Sequence, residues 1–210
     1  MRIYFARHGE SEANRLHQIS NLGLRHGLTL EGRIEAFSLA EYLQAKSVTR
    51  IYSSPLLRAI ETTVILANWL GVGYEVADAL REFDCGVAEG HADEVAWQMW
   101  RDLLEAWLVD GRHDRHIEGG ESFDDLRARF VPFVEKLIDR YRETDAGLVC
   151  VSHGGVYSAM LPLLLGNVDQ EMIAEYGLGY ASCVVAEPGG SGLVCTEWNG
   201  QPIGVSSARA

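Results

Sequence analysis

Ile3-Tyr4-Phe5-Ala6-Arg7-His8-Gly9-Glu10 is an apolar run that ends abruptly in an arginine, a histidine and a glycine. Such a short apolar run suits a strand buried on both faces. In open α/β sheets, ligands sit just beyond the carboxyl ends of the strands, so Arg7 and His8 fall where a site is expected. One Arg-His pair proves little, but two further segments repeat the pattern. Arg50-Ile51-Tyr52-Ser53 is a second strand candidate and stops at Ser54-Pro55. A serine hydroxyl can cap a helix and proline tolerates the first helical position, which puts Arg58 about one turn into a helix beginning at that strand's end. Gly147-Leu148-Val149-Cys150-Val151-Ser152 is the third and delivers His153, followed by Gly154-Gly155. Those glycines would let the backbone approach a ligand closely, at the start of a helix over residues 156–165.

The remaining segments alternate helix and strand patterns. Residues 10–28 read as a long polar loop. Thr29 can cap a helix with the stripe Leu30, Ile34, Phe37, Ala40, Tyr42 and Leu43. The helix carrying Arg58 runs to about Leu70, and Gly71 can stop it, before a short strand at Tyr74-Glu75-Val76. Residues 80–90 are irregular and hold Glu82, Asp84 and Glu89. Val95, Met99, Trp100, Leu103, Leu104, Trp107 and Leu108 recur at helical spacing, and a charged loop over residues 111–120 follows. Ser122 opens a longer helix in which Pro132 predicts a kink or a break. Strands over residues 181–187 and 193–198 flank the turn Pro188-Gly189-Gly190, and the tail after Asn199 reads as polar and loose.

The chain has 210 residues, 47% hydrophobic and 23% charged, which suits one globular domain with a small elaboration. Its net charge of -12 argues against nucleic acid or an anionic membrane surface as a partner. Any phosphate it binds requires locally concentrated cations. Cys85, Cys150, Cys183 and Cys195 show no CxxC spacing and read as reduced thiols. The first residues lack the apolar core of a signal peptide, and the apolar stretch 148–165 is interrupted by Ser152, His153, Gly154 and Gly155. Cytoplasmic residence, away from the membrane, is the default expectation.

If the three strand ends line up, two arginines and two histidines converge. Two guanidiniums can hold a dianion in fork-shaped, charge-assisted hydrogen bonds, and phosphate is the natural guest. A neutral imidazole can attack phosphorus through a ring nitrogen. Arg7 and Arg58 beside His8 would oppose its protonation, whereas bound phosphate would favour charged His153. The leaving alkoxide needs a proton, and Glu82 is the leading donor in the irregular loop, with Asp84 and Glu89 as competitors.

The run Arg7-His8-Gly9-Glu10-Ser11-Glu12-Ala13-Asn14 resembles the signature of the histidine phosphatase superfamily, the phosphoglycerate mutase-like proteins. Leu28-Thr29-Leu30-Glu31-Gly32, the stretches 53–62 and 80–90, Gly120-Glu121-Ser122 and Val151-Ser152-His153-Gly154-Gly155-Val156 resemble its later motifs in the same order. The resemblance spans almost the whole chain. It implies a three-layer α/β/α sandwich with a mostly parallel central sheet, one domain over residues 1–210, and a variable cap-like helical segment at about residues 91–120. It also implies His8 as the phosphorylated nucleophile and Glu82 as proton donor. Arg7, Arg58 and His153 would form the phosphate pocket, with Asn14 and Gly154 contributing. No metal or cofactor is implied. The acid-phosphatase branch has an aspartate directly after the second histidine; Gly154 stands there instead, which favours Glu82.

The substrate expected on this basis is a small phosphorylated metabolite. Mutases of this family resemble one another in a longer insertion with paired arginines and prolines. Between Glu82 and His153 this chain has one proline, Pro132, and no adjacent arginines, so hydrolysis is favoured over a cofactor-dependent mutase. A phosphate-binding scaffold that has lost turnover is the third reading, and the intact reacting groups weigh against it. His113-Asp114-Arg115-His116 lacks the spacing of a metal site and reads as a solvated loop. Trp97, Trp100 and Trp107 fit core packing first, with an apolar substrate wall or a homodimer contact as the other readings. Arg101, Arg112 and Arg115 are candidates for a second anion.

Overall fold

The computed structural model describes residues 1–190 and 192–204. Seven strands form one sheet: β1 (Arg2–Arg7), β2 (Val48–Ser53), β3 (Tyr74–Val76), β4 (Gly147–Ser152), β5 (Cys183–Pro188), β6 (Leu193–Trp198) and β7 (Gln201–Pro202), in the order β3-β2-β4-β1-β5-β6-β7. The first four are mutually parallel, and β5, β6 and β7 extend the sheet as an antiparallel edge. The expected α/β architecture is present.

Side-chain alternation along the central strands divides the interior into two cores. Ile3 and Phe5 of β1, with Leu148 and Cys150 of β4, point to one face. There they meet the helices α4 (Glu94–Leu108), α5 (Phe123–Tyr141) and α6 (Gly154–Leu164). Tyr4, Ala6, Val149 and Val151 point the other way, into a smaller core with α2 (Leu30–Gln44) and α3 (Leu57–Leu70). Every residue of β4 is buried, as the uninterrupted apolar run required.

Register places the site. Arg7 of β1 pairs with Ser152 of β4, and Ser53 of β2 pairs with Val151. The three strands therefore end at one edge, and the residues that follow them, His8, Ser54 and His153, emerge together. The His8 backbone N–H donates to the Ser152 carbonyl at 3.1 Å, and the Ser54 N–H to the Val151 carbonyl at 2.9 Å.

Several local expectations need correction. Residues 10–28 contain a one-turn helix, α1 (Glu12–Arg15), closed by a reciprocal cap between Ser11 and Asn14. In α2 the apolar stripe is misplaced: Leu30, Ile34 and Phe37 are exposed, while Gly32, Ala36, Leu39, Ala40 and Leu43 are buried. The reason is proximity, because a Cβ on Gly32 would lie 1.9 Å from the Glu10 carbonyl oxygen. Only the small-residue face can approach the loop that carries His8. In α3 the helix starts at Leu57 with Leu56 as its cap residue, so Pro55 precedes the helix and Arg58 is its second residue. Helix α5 passes through Pro132 without a break. Pro132 and Ala128 are both exposed, where a carbonyl left without a helical donor can be hydrated.

The sequence reading missed α7 (Gln170–Tyr176), a short helix capped by Asp169. The tail read as loose contributes β7 to the sheet edge, and its last residues, 205–210, lie outside the described residues. The four cysteines are buried free thiols. No helix among the described residues is long and apolar enough to cross a membrane.

Candidate active site

His8 is buried at the end of β1, and its two ring nitrogens have different partners. Nδ1 lies 2.7 Å from the Gly9 carbonyl oxygen, which can only accept, so Nδ1 carries the proton. Arg58 Nε donates to Nε2 at 3.0 Å, so Nε2 presents its lone pair. The tautomer is thereby fixed by its neighbours. Burial holds the imidazole well below the usual histidine range, and the charges of Arg58 and Arg7 depress it further. Like-charge repulsion was expected; desolvation is the larger cause.

Arg58 is 5% exposed and is held from three sides. Besides His8, its Nη1 donates to the Ser20 carbonyl at 2.6 Å and its Nη2 lies 3.5 Å from Asn21 Oδ1. Burial lowers its pKa to about 10, with Glu82 opposing the shift, so it remains a cation at neutral pH. Arg7 donates from Nη1 to the Leu178 carbonyl at 2.5 Å, and its guanidinium carbon stands 4.4 Å above the Tyr180 ring. Ser20, Asn21, Leu178 and Tyr180 escaped the sequence reading. They lie in loops with no periodicity, and only the packing of those loops onto the sheet edge brings them to the arginines.

His153 is fully buried, and its ring centroid lies 5.0 Å from that of His8. Its Nε2 lies 2.7 Å from Ser54 Oγ. Burial first, then Arg58, His8 and Arg7, hold it well below the usual range. Ser54, read from sequence only as a helix cap, also accepts from the Leu56 N–H at 3.3 Å. It is a site residue as well as a turn residue.

Glu82 is 8% exposed, and backbone donors hold both its oxygens: the Phe83 N–H on Oε1 and the Gly155 N–H on Oε2, each at 3.1 Å. Burial raises its pKa, against the lowering effect of Arg58, the two amides and Arg7. Gly155 is required here, since a Cβ would lie 2.6 Å from Phe83 Cε1 and 2.9 Å from Glu82 Oε1. Gly154 packs against the other group, with its Cβ position 3.2 Å from Arg7 Cζ. The rivals to Glu82 are engaged elsewhere. Asp84 Oδ1 caps the Gly86 N–H, and Glu89 accepts from the Asn21 and Leu22 amides.

Two buried nitrogens in this cluster have no partner among the described residues: Arg7 Nε, a donor, and His153 Nδ1. An unpaired buried polar group costs roughly 1–3 kcal/mol, and here both stand in one cluster with His8. An oxyanion would satisfy them. The cavity lined by Arg7, His8, Arg58 and Glu82 has a volume of about 550 Å³ and is also lined by Asn14 and Gly154. Asn14 accepts from Ser11 through Oδ1 at 2.8 Å in its capping role, so its amide NH₂ is the part left for a ligand. The described residues contain no cluster of three histidine, cysteine or acidic side chains placed to hold a metal ion. His113, from the charged loop, stacks on Phe123 at 4.2 Å.

The tryptophans divide. Trp107 is core, 1% exposed, while Trp97 and Trp100 line the cavity.

A family model for the histidine phosphatase superfamily (branch 1) matches residues 3–201. The glucosyl-3-phosphoglycerate phosphatase of Mycolicibacterium vanbaalenii is 32% identical over 190 residues, covering 87% of this chain and 82% of its own length. The 6-phosphofructo-2-kinase/fructose-2,6-bisphosphatase of Gallus gallus is 31% identical over 172 residues, which are 81% of this chain. The chain spans 34% of the length of that relative. A solved mycobacterial glucosyl-3-phosphoglycerate phosphatase in complex with VO3 superposes with a TM-score of 0.75 at 27% identity, covering 94% of this chain and 98% of that one. With the family model matching almost from end to end, the chain belongs to branch 1 of the histidine phosphatase superfamily.

Proposed function

We propose that this protein hydrolyses small phosphomonoesters through a phosphohistidine on His8. The observation that carries this reading is the pair of buried nitrogens without protein partners, Arg7 Nε and His153 Nδ1, in one cluster with an imidazole whose Nε2 lone pair is held by Arg58 alone. The family membership and the phosphatase names of the relatives support it.

The substrate phosphoryl group sits among Arg7, Arg58 and His153, with Asn14 and the Gly154 backbone at its edge. Arg58 releases His8 Nε2 and turns its donors to the phosphate oxygens. The Nε2 lone pair then attacks phosphorus, the bond from phosphorus to the ester oxygen breaks, and Glu82 gives its proton to the departing alkoxide. Burial raises the Glu82 pKa, which favours the protonated carboxyl that this step needs. In the second half, a water attacks the phosphohistidine and passes its proton to Glu82. The bond between nitrogen and phosphorus breaks, and inorganic phosphate leaves with His8 and Glu82 restored. Ser54 donating to His153 Nε2 would leave the proton on Nδ1, aimed as a donor to phosphate oxygen. Fixed donors of this kind act where charge develops and need no reorganisation.

The buried free thiols suit a reducing compartment, and we place the enzyme in the cytoplasm. The test is phosphate release from a panel of phosphomonoesters in the presence of chelator, with wild type and His8→Ala in parallel. Release by wild type that is abolished in the variant is expected. Equal release by both would overturn the assignment.

A further inference from the structure

The floor of the cavity and its walls differ in charge, and the difference bears on which alcohol the site accepts. This inference rests on the phosphomonoesterase reading above. At about 550 Å³ the cavity has the size of a small-molecule site, so it has room for much more than a phosphoryl group. Arg7 and Arg58 are the only arginines lining it among the described residues, and no lysine lines it. Both belong to the floor. The other polar side chains lining the cavity include Asn14, Gln18, Asn21 and Ser158, with the His17 imidazole. None of the arginines that the sequence offered for a second anion lines it: Arg101 pairs with Glu94 and Gln98, Arg112 pairs with Asp110, and Arg112 and Arg115 line a separate cavity.

The walls supply flat apolar surface instead. Trp97 and Trp100 project from α4, and Ile173 and Leu178 come from the segment around α7. The indoles are held in place before any ligand arrives. Trp97 donates from Nε1 to the His17 carbonyl at 2.6 Å, and Trp100 lies nearly parallel to Phe83, at 18° with centroids 6.4 Å apart. Their own rings meet edge to face at 5.7 Å. Rigid aromatic plates favour ligands that present a ring face.

We propose that the site selects phosphomonoesters of uncharged, ring-bearing alcohols and discriminates against alcohols that carry a second anionic group. A carboxylate or second phosphate in the upper cavity would shed water with no arginine or lysine to receive it, near the Glu82 carboxyl. A ring would displace water from indole surface. The compounds in the names of two relatives, a phosphoglycerate and a bisphosphate, each carry such a second group, which sets this chain's selectivity apart from those names.

The experiment compares kcat/KM for benzyl phosphate, para-carboxybenzyl phosphate and the methyl ester of the latter, which share one leaving-group chemistry. The ester should match benzyl phosphate, and the free carboxylate should fall at least about tenfold below it. Trp100→Ala should reduce the preference for benzyl over methyl phosphate about tenfold, and Trp100→Phe should retain it within about threefold. Equal turnover of carboxylate and ester, or an unchanged preference in Trp100→Ala, would overturn the selectivity. Turnover of all the esters only at the His8→Ala level would overturn the phosphomonoesterase reading itself.

Discussion

Arg58 donates from Nε to His8 Nε2 at 3.0 Å, so in the proposed reaction the guanidinium that holds the phosphate also covers the lone pair that attacks it. An incoming phosphoryl group must therefore exchange one hydrogen bond for several. Until it does, the His8 imidazole is neutral, oriented and masked.

Replacing Arg58 tests that arrangement. A lysine has one ammonium and cannot reach His8 Nε2 and the Ser20 carbonyl together, as the guanidinium does at 3.0 and 2.6 Å. Arg58→Lys should lower kcat/KM about 10²–10³-fold, the range seen when a fixed transition-state donor is removed. Steady-state kinetics on a refolding-competent variant would check this. A loss below about threefold would show that charge alone suffices.

Proton donation by Glu82 predicts a dependence on the leaving group. Glu82→Gln should cost about 10²–10⁴-fold with an alkyl phosphate, and far less with para-nitrophenyl phosphate, whose phenolate leaves without help. Gly155→Ala should imitate it in part, because the new methyl falls 2.9 Å from Glu82 Oε1. Equal losses on both substrates would remove Glu82 from the donor role.

Ser54 is placed to orient His153 through the 2.7 Å contact to Nε2. Removing the hydroxyl leaves both His153 ring nitrogens without a protein partner, since Nδ1 has none among the described residues. Ser54→Ala should lower kcat/KM about tenfold, the value of one buried hydrogen bond. A shift of the pH–rate profile should accompany the loss, which a merely structural serine would not produce. Unchanged kinetics and profile would refute it.

Stability should fall in acid. His8 and His153 are held well below 6.5 in the fold, so as the pH drops through 6.5 the unfolded chain takes up two protons that the folded chain refuses. Glu82 acts with the opposite sign: its raised pKa gives the folded chain one extra proton above 4.5, a contribution lost as the pH rises. Near pH 5 the two histidines outweigh Glu82, which returns at most one proton, so stability falls as the pH drops. Urea unfolding at pH 5 and pH 7 should show wild type weaker at the lower value, and His153→Gln should lose less of its stability. A wild type that is stronger at pH 5 would contradict the shifts.

The site was legible where chemistry followed a strand. His8 and His153 stand directly after apolar runs, and an in-register parallel sheet had to bring their ends together. What held them in place was not legible. Tyr180, Asn21 and Ser20 reach the arginines through loop packing that no period encodes. The α2 stripe failed for a related reason: Gly32 must touch the Glu10 backbone, so the helix turned its small residues inward and left Leu30 and Phe37 in water. Apolar spacing measures which face is greasy, and close backbone approach overrode it. For the tryptophans, one helix serves both purposes, with Trp107 in the core and Trp97 and Trp100 on the cavity wall.

The most direct test is chemical. Protein quenched in base during turnover, where a bond between phosphorus and imidazole nitrogen survives, should be digested and sequenced by tandem mass spectrometry. The account predicts one phosphoryl group on His8, absent from His8→Ala and discharged when substrate is exhausted. A phosphoryl group on any other residue, or none on His8 while phosphate is being released, would contradict it.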